Sequence, residues 1–269
     1  MFIRLTILTI FCFSVLGVSC QNVKKTGKTI KERFEVPAGF IRLEAPTGSF
    51  GAYLQNFMLK PDGSEVYLFN NTLKPNQDVH VAVLDIDRGD KDLQQCADAV
   101  MRLRAEYLYA AKELNKIGFK NFSGTNMDWV RYAQGYRITQ KGYQKTAKTD
   151  NSKTSFRKYL DMVFSYANTY TLSKEMQSVN LSQMQIGDVF IIGYPNKFGH
   201  AVIVMDMAEN PKTKEKVFLL AQSYMPAQDI HILKNANDSK NPYWYSIQAI
   251  EETLHTPEWD FPANSLKRF

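Results

Sequence analysis

Apolar positions cluster unevenly along the chain. Leu5 to Val18 is the first cluster, holding Ile7, Leu8, Ile10, Phe11, Phe13, Val15 and Leu16 between Arg4 and Lys24. Residues 21 to 32 (QNVKKTGKTIKE) are polar and basic, have no apolar period and read as a tether. Phe34 to Asp87 alternates and is punctuated by Pro37-Ala38-Gly39, Pro46-Thr47-Gly48, Pro61-Asp62-Gly63 and Asn70-Asn71. The pattern predicts several strands, among them Glu65 to Phe69 and Val79 to Ile86. Gly89-Asp90 breaks it. Leu93, Ala97, Val100, Met101, Leu108, Ala111 and Leu114 then keep helical spacing, which predicts a helix opened by Asp90, Lys91 and Asp92 and stopped at Gly118. Residues 139 to 153 read as an exposed loop, Ser155 to Leu172 as a second helix and Ser173 to Val179 as a short helical turn. Strands are predicted at 188–193, 200–207, 217–223 and 230–233, with a polar turn at Glu209 to Glu215. The tail, Pro242 to Phe269, is aromatic and is expected to pack over the core. No internal repeat or domain boundary divides residues 33–269, which read as one domain.

A positive residue followed by a short apolar run is the pattern of a signal peptide, assigned to residues 1–19. The run is shorter than the ~20 residues a membrane-spanning helix needs. Leu16-Gly17-Val18-Ser19-Cys20 resembles the bacterial lipobox, with Leu16 one place earlier than usual. The resemblance implies that Cys20 is lipidated and that 20–32 tethers the domain to a membrane in the bacterial envelope. Ordinary cleavage to a soluble secreted or periplasmic protein is the alternative. Removing residues 1–19 takes away one Arg and no acid, so the formal charge falls from +6 to +5. That is mild for about 250 residues and is not the basic stripe of a nucleic-acid binder. Of three cysteines, Cys12 leaves with the signal and Cys20 is at the cleavage site, so Cys96 stands alone in the folded domain. It is either a reactive thiol or a small buried hydrophobe.

The predicted helix puts Cys96 about one turn from its start, where unpaired N–H groups favour a thiolate; Asp92, one turn upstream, opposes this. Among His80, His200, His231 and His255, His200 has the best context, following Gly199 and opening the apolar strand Ala201 to Val204. If the following turn centres on Pro211, His200 lies opposite Gln222, which would orient the imidazole. A one-residue shift would place the two on opposite faces. His80 ranks second as a base; His231 and Asp206 are further alternatives. Paired Cys/His spacing is absent, so no zinc site is expected, and no phosphate-cradling glycine motif or other cofactor signature appears. Asp85, Asp87 and Asp90 suit a solvated turn better than calcium. Trp129, Tyr132, Tyr136 and Trp244 either line a groove or build the core.

A helix-borne Cys, a Gly-Asp strand, a Gly-His strand and a polar residue on the next strand together resemble the papain-like fold. The similarity is to its bacterial cell-wall cysteine peptidases and amidases. The resemblance implies an α+β fold with the Cys helix packed on an antiparallel β-sheet. It makes Cys96 the nucleophile, His200 the base and Gln222 the orienting residue in acyl transfer on a peptide or amide of the cell wall. Gln94, Gln95 or the Cys96 N–H would stabilise the oxyanion. Gln95-Cys96-Ala97-Asp98 stands where the cell-wall branch has Asp-Cys-Ser-Gly, and 104 residues separate Cys96 from His200. A catalytically degenerate papain-like module that binds envelope polymer or protein is the alternative. Leu93-Gln-Gln-Cys-Ala-Asp98, Phe198-Gly-His-Ala201 and Leu220-Ala-Gln-Ser-Tyr-Met-Pro-Ala-Gln228 also resemble an uncharacterised family of secreted bacterial proteins, which implies no activity.

Overall fold

The computed structural model describes residues 23–139 and 142–269. The expected signal peptide and Cys20 lie outside the described residues. Among those residues no helix is long and apolar enough to cross a membrane. Among the described residues the architecture is α+β, with a nine-stranded antiparallel sheet and six helices.

Seven strands form the path of that sheet. Across it they run His80–Val83, His231–Leu233, Lys216–Gln222, His200–Glu209, Val189–Ile192, Leu266–Arg268 and Gln177–Ser178. The short strands Ile41–Arg42 and Tyr245–Ser246 pair beside this path. The strands expected at 188–193, 200–207, 217–223 and 230–233 are all present, shifted at their ends by a residue or two.

Alternation fills both faces of the sheet. Val189, Ile191, Ala201, Ile203, Leu219 and Ala221 meet the helical layer. Phe190, Val202, Val204, Phe218 and Leu220 pack on the other face with Leu254, Phe261 and Leu266 of the tail. The tail thus covers the core as expected, and it also contributes a strand, Leu266–Arg268, to the sheet.

Several boundaries differ from those expected. The first long helix is Cys96–Ala110, not Asp90 to Ile117, because Gln95 is its N-cap and Asp98 Oδ2 accepts the Gln95 N–H at 3.0 Å. It ends at Ala111, and Gly118 opens a small hairpin with Asn126–Asp128. The second helical stretch is two helices, Lys153–Tyr166 and Thr169–Glu175. Asn168 splits it by accepting the N–H groups of Tyr170 and Thr171 at 2.9 and 3.1 Å. Glu65 to Phe69 is no strand, although Tyr67 and Leu68 make isolated bridges. The expected loop at 139–153 contains the end of one hairpin strand, Tyr136–Thr139, and its partner Gly142–Lys145.

Candidate functional site

Cys96 is the first residue of its helix, not a turn inside it. Two ties hold the loop before it. Asp92 Oδ1 accepts the Ala227 N–H at 2.6 Å and Gln95 Nε2 at 3.0 Å. Ser223 Oγ lies 2.9 Å from the Gln94 carbonyl. The helix start is thereby fastened to the end of the strand Lys216–Gln222.

The thiol faces the backbone N–H groups of Ala97 and Ala201, the latter being the residue after His200. By surface area Cys96 is half-buried, yet protein atoms crowd its sulfur. That burial pushes the thiol up to about 12, and the charge of Asp98 adds to the effect. The expected low-pKa thiolate is therefore corrected. Desolvation outweighs the helix terminus, and the opposing acid is Asp98 rather than Asp92, whose carboxylate ties the loop. Burial likewise pulls His200 down to about 4, against the raising effect of its bond to Gln222. Both groups rest neutral, and among the described residues no hydrogen bond joins the thiol to the His200 ring.

His200 and Gln222 are brought together: His200 Nε2 lies 2.7 Å from Gln222 Oε1. They are not directly opposite, as a turn centred on Pro211 would have made them. The connection is the longer loop Asn210 to Glu215, closed by Asn210 N–H to the Glu215 carbonyl at 2.8 Å. Pairing runs Lys216 with Glu209 through Leu219 with Asp206, then resumes as Leu220 with Val204. Met205 is the extra residue of a β-bulge. The resumed register pairs Ala221 with Ile203, so Gln222 reaches diagonally to His200 on one face. Without the bulge the two side chains would leave opposite faces. Gly199 lets the strand begin here: a Cβ on it would come within 1.9 Å of the Ile192 carbonyl oxygen.

The next bonds fix the proton on the imidazole. Gln222 Nε2 donates to Glu258 Oε2 at 2.6 Å. It also lies 3.4 Å from His231 Nε2. His231 Nδ1 is 2.9 Å from the Asp229 carbonyl, so Nδ1 carries the hydrogen and Nε2 is an acceptor. A reversed amide would set its oxygen against a carboxylate. Gln222 Oε1 must therefore face His200, whose Nε2 carries the hydrogen, and Nδ1 is left as the bare base. Nδ1 makes no hydrogen bond among the described residues. Behind the amide, Glu258 Oε1 pairs with Lys74 Nζ at 2.5 Å in a largely buried ion pair. Tyr224, Trp259 and Phe261 enclose the ring, with centroids 4.8, 5.4 and 5.7 Å from that of His200.

Sequence reasoning missed Glu258 and Lys74, which lie 184 residues apart. An acid in an aromatic tail was the only local signal. The alternative bases have other work. His80 Nε2 lies 3.1 Å from the Ser64 carbonyl. His231 lies behind Gln222. Asp206 is held by Arg42 at 2.8 Å and Gln55 at 2.7 Å. Gln95 is committed to Asp92, whereas the buried Gln94 Nε2 has no hydrogen-bond partner among the described residues. Trp129, Tyr132 and Trp244 belong to the core rather than to a groove. Asp87 accepts the Gly89 N–H at 3.0 Å, as a solvated turn would.

No curated protein matches this chain, and neither does any solved structure. The family described as Domain of unknown function (4846) matches residues 30–268, nearly all of the described chain, and the chain belongs to that family.

Proposed function

We propose that the chain is a papain-like cysteine hydrolase that cleaves a peptide or amide, with cell-wall peptides as the substrate class. The observation that carries this reading is the fixed tautomer of His200. A buried relay from Lys74 through Glu258 and Gln222 leaves a bare imidazole nitrogen beside the strand residue whose N–H the thiol faces.

In this reading His200 Nδ1 takes the Cys96 proton as sulfur attacks the substrate carbonyl. The pair starts neutral, so proton transfer accompanies attack. The backbone N–H groups at the helix start, with Gln94 Nε2 as a spare donor, stabilise the oxyanion. The imidazolium returns its proton to the departing amine as the C–N bond breaks. Water, deprotonated by His200, then attacks the thioester; the acid product leaves and the thiol is restored. Catalytic hydrogen bonds often tighten only when substrate is bound, which accommodates the absent contact between thiol and ring. Lipidation at Cys20 would hold this activity at a bacterial membrane.

The binding-module reading is favoured by one observation: the thiol is desolvated and not hydrogen-bonded to His200. A peptidyl vinyl sulfone separates the two. The hydrolase should be labelled at Cys96, and the label should vanish in Cys96→Ala and fall sharply in His200→Ala. Equal labelling of wild type and His200→Ala, or none in wild type, would leave the binding module as the better reading.

A further inference from the structure

A cavity of about 480 Å³, lined by neither Cys96 nor His200, opens elsewhere on the molecule. Leu43, Ala45, Phe50, Ile186 and Phe269 supply apolar walls, and Arg104 lies among them. Arg104 is eight residues along the same helix as Cys96, a rise of about 12 Å.

The cavity's charges are unequally satisfied. Asp188 and Arg268 pair through two bonds of 2.6 and 2.7 Å. Glu44 pairs with Lys31 at 2.5 Å on the exposed side. Arg104 has no ion pair and no hydrogen bond among the described residues. Its guanidinium carbon instead lies 5.1, 5.4 and 5.3 Å from the ring centres of Phe50, Tyr107 and Phe269. Three rings hold the cation without neutralising it. Burial lowers its pKa, and Glu113, whose charge reaches it, is itself paired with Lys116. A half-buried, donor-rich guanidinium beside an apolar cavity matches a carboxylate that carries a hydrocarbon body.

We propose that this cavity binds an aliphatic monocarboxylate, with the carboxylate on Arg104 and the chain along Leu43, Ala45 and Ile186. The site stands apart from the thiol chemistry and does not depend on it.

Calorimetric titration of the full chain with octanoate, octanol and octylammonium tests the proposal. Octanoate should bind saturably and at least about tenfold more tightly than either of the others. Arg104→Gln should weaken octanoate about tenfold or more while leaving octanol within about twofold, and Arg104→Lys should retain part of the preference. The comparison of the three ligands on wild type requires no variant to fold. Absence of saturable octanoate binding, equal affinity for octanol, or an Arg104→Gln titration like that of wild type would overturn the assignment.

Discussion

At the scale of the residue, the candidate site is governed by desolvation. Cys96, moved up to about 12, should react slowly with iodoacetamide at neutral pH, its rate climbing from pH 8 to pH 11 without levelling. A plateau below pH 8.5 would instead restore a resting thiolate. The Lys74–Glu258 pair makes a second residue-level test. Glu258→Leu strands a buried ammonium and frees the Gln222 amide, so urea unfolding should show a loss of about 3–5 kcal/mol. Glu258→Leu combined with Lys74→Met should recover much of that loss. If the double variant is no more stable than the single one, the two side chains are not coupled as the structure has them. Neither partner was legible in the sequence, because an ion pair between distant residues leaves no local pattern.

At the scale of the element, the bulge and the helix cap decide the geometry. The strands 189–192, 200–209 and 216–222 were legible because their apolar runs are short and bounded by turn residues. Their register was not, because a single extra residue, Met205, reverses which face every later side chain takes. The helix starts later than its acids suggest for a related reason. Asp90 and Asp92 look like opening acids, but the cap is built by Gln95 and Asp98. Asp98→Asn keeps an oxygen for the Gln95 N–H and removes the charge that raises the thiol. Alkylation of Cys96 at pH 8 should therefore speed up, with stability lower by no more than about 1 kcal/mol. An unchanged alkylation rate would show that burial alone sets the thiol.

At the scale of the whole molecule, two buried histidines link stability to pH. Burial lowers His200 to about 4 and His231 to about 3, both below the ordinary 6.5. Lowered bases bind protons more readily when unfolded, so their contribution is intact above pH 6.5. It is lost progressively as pH falls toward the folded values. Between pH 6.5 and 5 each should cost about 2 kcal/mol. The buried acids Asp98 and Asp206 are shifted upward and act in the opposite direction. The measurement is therefore a difference: the slope of urea stability against pH should be about one proton steeper in wild type than in His231→Gln. Identical slopes would mean that His231 is free to titrate in the folded state. Export is tested on the intact chain as well: labelled palmitate should enter wild type and not Cys20→Ala. Label retained by the variant would remove the lipid anchor from the proposal.

Local pattern specifies the α+β class, the strand run from 189 to 233 and the placing of His200 and Gln222 on adjacent strands, but not the register that joins them. Alternation, apolar run length and turn residues are local, and they specify elements and their order in the chain. The proton on His200, the neutral state of the Cys96 thiol and the unpaired charge of Arg104 arise only on packing. Each depends on what distant segments bring to one place: Glu258 from the tail, Lys74 from a loop before the first strand of the sheet path, and the rings of Phe50 and Phe269 around the helix. Burial and the orientation of partners set those properties, and neither exists until the chain is packed.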